Sequence, residues 1–212
     1  MSIISNLKLI KSGTKTEKIF NALFPDKTFI DIDYDTPSKY VSKYWDAYKA
    51  LGKHNNVLNG KIFELIISTL FIREGIFPMY LQANVAFIPN VDYDLIIYNK
   101  EIGPISISLK TSLRERKKQA DLEAIALKYV HRKSQCYLIS LETTEVQAAK
   151  NDLKNGCLLG VDDVILADDP EFDEFIKKLK EVELSEAGCI EIIKSNQFVS
   201  QALVSKYGTE RK

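Results

Sequence analysis

The sequence predicts an α/β domain whose central mixed β-sheet is flanked by helices. Three observations lead there. Leu95–Tyr98 and Ile105–Leu109 are short runs rich in Ile and Leu, separated by the turn-forming stretch Asn99–Pro104, which is the pattern of two strands in a hairpin. After the second run, from about Arg114 to His131, Leu122, Ile125, Ala126, Tyr129 and Val130 recur at helical spacing, and the strand-like Cys136–Leu141 comes next. A helix therefore crosses over between strands. Upstream, Leu58–Glu74 is apolar all round except at Lys61, Glu64 and Arg73, as expected of a buried helix packed on a sheet.

The other elements follow in order. Pro37–Leu51 reads as a helix carrying the stripe Tyr40, Tyr44, Trp45 and Tyr48, which suits a core or a dimer surface better than a platform for stacking bases. Val164–Ala167 reads as another strand. Helices are expected near Glu145–Lys154 and Pro170–Glu183, the second amphipathic through Phe172, Phe175, Ile176 and Leu179.

Composition narrows the function. With 212 residues, 45% hydrophobic and 27% charged, the chain suffices for one globular domain with a respectable core. Its 29 Lys+Arg balance 29 Asp+Glu. That neutrality argues against a nonspecific coat for polyanions and leaves room for a local basic face, at Arg114–Lys118 and Lys128/Arg132/Lys133, opposed by the acidic stretch Asp162–Glu186. No leader pattern is evident, and apolar runs fall far short of the roughly 18 residues needed to span a bilayer, so a cytoplasmic protein without membrane contact is expected. Cys136, Cys157 and Cys189 form neither a zinc pattern nor a disulfide framework, and His54 and His131 are not spaced as ligands. His131 suits the end of its helix, where a cation complements the dipole. The glycine-rich loops that cradle nucleotide phosphates are absent, so no nucleotide cofactor is expected.

The chemistry concentrates in Val91–Glu123. Asp94 stands at the mouth of the first hairpin strand and Lys110 at the end of the second, where alternation puts Ser108 and Lys110 on one face. Glu123 follows thirteen residues later, about two turns into the crossover helix. Carboxylates and a lysine around one point suit phosphodiester hydrolysis. A divalent cation neutralises the phosphate and lowers the pKa of a water, and Mg²⁺ asks for one or two carboxylates plus other oxygens. Asp94 and Glu123 could supply the carboxylates and Leu109 a carbonyl oxygen, while Lys110 orients the water and stabilises the transition state. Other readings stand beside this one: Asp94 as a turn residue, Glu123 as an exposed helix glutamate. Asp121 has Lys117 and Lys118 at i−4 and i−3, whereas Glu123 has no such cation. Asp121 is therefore expected in a solvated salt bridge and Glu123 at the metal. Glu64 is a charge on an apolar helix, which calls for a salt bridge, a place at the sheet rim or a metal. Arg114, Glu115, Arg116, Lys117 and Lys118 are most cheaply explained as a solvated first helical turn, yet they place four cations where the macrodipole prefers anions. An anionic ligand would resolve the misfit.

These residues resemble the PD-(D/E)xK phosphodiesterases, the superfamily of type II restriction endonucleases. Asp94 matches its first element and Lys110 its last, but Ser108 stands at the acidic position. One subgroup, whose members read CC/GG-containing sites, is similar in this respect and moves the carboxylate to a later glutamate. Its order of motifs is found here as Ser108-Leu109-Lys110, Arg114-Glu115-Arg116 and Glu123-Ala124. The Asp-to-Lys separation is shorter than in that subgroup. The resemblance spans about Asn59–Leu141. It implies a restriction-endonuclease-like core over residues 58–212 with a C-terminal helical extension, and residues 1–57 as a helical region for dimerisation or DNA contact. It further implies Mg²⁺-dependent cleavage of double-stranded DNA by a homodimer, with Glu64 as an accessory ligand or partner of Lys110 and Arg114–Lys118 facing DNA. Arginines there would read guanine, and Glu115 cytosine. A repair or junction-resolving nuclease and a catalytically dead DNA-binding relative remain alternatives.

Overall fold

The computed structural model describes residues 2–52, 55–187 and 193–208; His54 and Cys189 lie outside them. Four helices come first: α1 (Ile3–Asn6), α2 (Lys15–Ala22), α3 (Pro37–Ala50) and α4 (Asn56–Glu74). Asn55 caps α4 by accepting from Leu58 N–H, and Gly75 closes it in the left-handed conformation at φ 74°. Then come β1 (Met79–Val85), β2 (Tyr93–Asn99), β3 (Gly103–Lys110), α5 (Arg116–Val130), β4 (Gln135–Ser140), α6 (Thr143–Lys154), β5 (Asp163–Leu166) and α7 (Pro170–Lys180). The chain continues through β6 (Ile193–Lys194), β7 (Gln197–Val199) and α8 (Gln201–Gly208).

The sheet is mixed, in the order β5-β4-β3-β2-β1, with β6 and β7 both on the outer edge of β1. The β2–β3 hairpin pairs Leu95 with Ile107 and Ile97 with Ile105. Its turn is held by Asn99 Oδ1, which accepts from the Glu101 and Ile102 N–H groups at 2.8 Å each. β3, β4 and β5 run parallel, joined by α5 and α6 as crossovers. The expected hairpin, crossover helix and third strand are all present. β1 escapes a pattern reading because Gln82 and Asn84 interrupt its apolar run, and β6 and β7 are too short to carry a period.

Alternation along the strands sorts side chains into two cores. Ile105, Ile107 and Leu109 pack with α3, α4 and α7, whereas Cys136, Leu138 and Ile96 pack with Ala120, Ala124 and Leu127 of α5 and Val146 and Ala149 of α6. The tyrosine stripe of α3 belongs to the first core. Tyr40, Tyr44 and Tyr48 are buried, with the Tyr40 hydroxyl 3.0 Å from Thr69 Oγ1 and that of Tyr48 donating to Asn59 Oδ1 at 2.8 Å. It is therefore no dimer surface. Ile4, Leu7, Phe20 and Leu65 share that core.

Between the pairs Leu81/Leu95 and Ala83/Tyr93 the strands change faces. Leu81 and Leu95 point into the first core, but Ala83 and Tyr93 point into the second. The edge strands change with them: Val199 faces the first core and Ile193 the second. At this corner Gln82 is left-handed, with φ 47°, and neither Gln82 nor Asp94 takes part in the β1–β2 pairing. Asp94 is thereby freed from the ladder.

Candidate active site

Asp94 sits where continued pairing would place it opposite Ser108, yet the β2–β3 pairing begins only at Leu95. Its side chain substitutes for the missing ladder bonds. Asp94 Oδ2 accepts from Leu109 N–H at 2.8 Å, Ser108 Oγ at 3.2 Å and Lys110 Nζ at 2.6 Å. The Asp94–Lys110 pair is largely enclosed, with side-chain exposures of 12% and 11%. Ser108 thus donates to the carboxylate where a superfamily member would carry another carboxylate.

Two further carboxylates feel this pair from different elements. On α4, Glu64 accepts from Gln82 Nε2 at 3.2 Å. Burial, and then the negative charge of Asp94, push its carboxyl up to about 7, with Lys110 and Lys61 opposing. On α5, Glu123 Oε1 accepts from Gln119 Nε2 at 2.7 Å, and its backbone carbonyl accepts from the buried Tyr93 hydroxyl at 3.0 Å. Burial raises the Glu123 carboxyl, Asp94 and Asp92 raise it further, and the Gln119 hydrogen bond and Lys110 offset this.

Among the described residues, no three His, Cys, Asp or Glu side chains gather closely enough to hold a metal by themselves. Mg²⁺ does not require that, since it keeps waters and phosphate oxygens among its ligands. The residues present fit such an ion. The Glu64 carboxylate is disfavoured first by burial and then by Asp94, and a divalent cation at this corner would favour its charged form.

Downstream of Lys110, the chain is tied to α6. Glu145 accepts from Leu113 N–H at 2.5 Å, Ser112 Oγ at 3.2 Å and Arg114 Nε at 3.4 Å. Burial opposes ionisation of Glu145, but these bonds outweigh it and hold its carboxyl below the usual range. α5 begins at Arg116 with Glu115 as N-cap, two residues later than its periodicity suggests. Arg114, Glu115 and Arg116 line an open groove of about 590 Å³ with Asn56, Thr111 and Ser112. The cation excess at this helix start is partly neutralised by other elements: Lys117 pairs with Asp152 and Arg114 with Glu145, leaving Arg116 and Lys118 exposed and without an ion pair among the described residues.

One assignment is overturned. Asp121 is not in a solvated salt bridge. It is buried, and its Oδ1 accepts from Leu159, Gly160 and Val161 N–H at 2.9, 2.7 and 3.2 Å. The pattern of lysines at i−4 and i−3 was misleading because Lys117 reaches across to α6 and the partners of Asp121 lie almost forty residues on. Sequence reasoning also missed Gln82 and Glu145, whose roles depend on contacts distant in the chain. The polar interruption of β1 is the only signal that pointed to Gln82.

No protein-family profile matches the chain, and neither does any curated protein sequence. Among solved structures, the fold matches that of the restriction endonuclease PspGI in a complex with substrate DNA, with TM-score 0.54 and 18% identity over 90% of this chain and 88% of that one. The chain has the restriction-endonuclease fold, a mixed sheet with helices on both faces.

Proposed function

We propose that the protein is a Mg²⁺-dependent type II restriction endonuclease, cutting both strands of double-stranded DNA by phosphodiester hydrolysis. One observation carries the reading: the enclosed Asp94–Lys110 pair at the sheet corner, flanked by Glu64 and Glu123, both of which respond electrostatically to it. A structural ion pair would not need two further carboxylates beside it. The likeness to PspGI supports the reading through the fold.

Asp94 and Glu123, with the Leu109 carbonyl, would hold the metal, and Glu64 is the accessory carboxylate on the α4 side. Bound there, Mg²⁺ would neutralise the phosphate and make a water more acidic. Lys110 orients the attacking water and stabilises charge on the pentacovalent phosphorus, its ammonium kept in place by Asp94. Ser108 donates to Asp94 and fixes its rotamer. Arg114, Glu115 and Arg116 face the DNA, with Lys118 on the same helix start. Cutting both strands of a palindrome calls for a two-fold homodimer.

Incubation of plasmid with the purified protein and Mg²⁺, resolved on a gel, tests this. Discrete bands are expected. Cutting only at junctions or flaps would make it a structure-selective nuclease, and no cutting with retained DNA binding would make it a catalytically dead relative.

A further inference from the structure

Glu64 opens on a second groove that the chemistry above does not use. A cleft of about 690 Å³ lies between the N-terminal segment, α4 and the edge of the sheet, and Lys8, Lys11, Lys61, Glu64, Gln82 and Asn196 are among its lining. The three lysines are exposed and make no ion pair with any described residue, although Lys61 acts electrostatically on Glu64. In a chain of zero net charge, three unpaired cations around one cleft are a local excess. The wall that carries them is firmly placed. Leu7 and Leu9 are buried on either side of Lys8, whose backbone is left-handed at φ 59°, and the Leu9 carbonyl accepts from Gln197 Nε2 at 2.6 Å. At the floor, the corner interrupts both ladders of β1, since Gln82 pairs neither with Asp94 nor with Asn196. Gln82 and Asn196 both line the groove, and a left-handed non-glycine residue such as Gln82 is a frequent companion of function.

We propose that this cleft seats the DNA backbone flanking the scissile phosphate, with Lys8, Lys11 and Lys61 neutralising phosphate groups. It rests on the nuclease reading and extends it: Glu64 and Gln82 belong to both the cleft and the reactive corner, so a strand leaving the Asp94–Lys110 pair on the α4 side enters it directly. Positive side chains along the wall give the complementarity a polyanion requires, while Gln82 and Asn196 supply neutral donors.

The test is the salt dependence of binding to a random-sequence duplex a few helical turns long, followed by fluorescence anisotropy. Each lysine that meets a phosphate contributes about 0.9 to the slope of log K against log salt. The variant Lys8→Gln/Lys11→Gln/Lys61→Gln should therefore lose about 2 to 3 from the slope. Replacing the same three by Arg should restore it, and Lys177→Gln/Lys178→Gln, on the helix packed against the opposite sheet edge, should leave it unchanged. An unchanged slope in the Gln triple variant, with its circular dichroism intact, overturns the proposal while leaving the nuclease reading standing. A wild-type protein that binds no duplex also overturns the proposal, and plasmid cleavage by the wild-type protein reports on the nuclease reading separately.

Discussion

Replacing Glu64 by Gln should make the metal-free protein more stable at neutral and alkaline pH. In the folded state, burial and the Asp94 charge raise this carboxyl from 4.5 to about 7, while in the unfolded chain it returns to its ordinary range. Between about pH 4.5 and 7, then, the folded state binds a proton that the unfolded state has released, and stability falls as pH rises through this window. Above 7 the whole penalty is present. A shift of this size corresponds to about 3 kcal/mol at 1.36 kcal/mol per unit, an upper value because water reaches part of the side chain. Glu64→Gln keeps the shape and an oxygen for the Gln82 amide but cannot ionise. Urea denaturation in chelator should show the variant and wild type nearly equal at pH 4.5 and the variant ahead by up to about 3 kcal/mol at pH 8. Adding Mg²⁺ at pH 8 should stabilise the wild type more than the variant. A variant no more stable than wild type at pH 8, or ahead by the same margin at both pH values, would show that burial and Asp94 do not disfavour the Glu64 charge in the folded protein.

Glu123→Gln should abolish Mg²⁺-dependent cleavage with no loss of melting temperature. Asp121→Ala should do the opposite, costing about 2–4 kcal/mol of stability in thermal or urea unfolding because it strands three backbone N–H groups near α5. Gly160→Ala should also destabilise the fold, since a Cβ there would lie 2.4 Å from Ile125 N and 2.5 Å from the Asp121 carbonyl; a melting temperature equal to wild type would show that the loop yields freely. Ser108→Glu combined with Glu123→Gln should recover part of the cleavage lost in Glu123→Gln alone, because Ser108 already reaches Asp94. Persistent inactivity of a folded, DNA-binding double variant would count against interchangeable carboxylates.

The convergence of Asp94 and Lys110 was legible in the sequence because strand alternation and a short hairpin are local rules: once Leu95–Tyr98 and Ile105–Leu109 pair, Asp94 and Lys110 come onto one face at the same end of the hairpin. Glu64 was legible as a charge on an otherwise apolar helix. What the sequence did not disclose depends on partners remote in the chain. Asp121 is surrounded in sequence by lysines and in space by the Leu159–Val161 backbone. The corner at Gln82 needs a left-handed residue, a conformation usually announced by Gly or Asn, and its neighbours on both sides come from β2 and from the C-terminal edge. The sheet's outer strands, β6 and β7, become recognisable only once β1 is there to pair with them.

Single-turnover cleavage measured beside DNA affinity distinguishes a catalytic Asp94–Lys110 pair from a structural one. Asp94→Ala and Lys110→Ala should each slow cleavage by several orders of magnitude and leave DNA affinity within about tenfold of wild type, because the proposed role of the pair is positioning and charge stabilisation. Folded variants that cut DNA at near wild-type rates would contradict it.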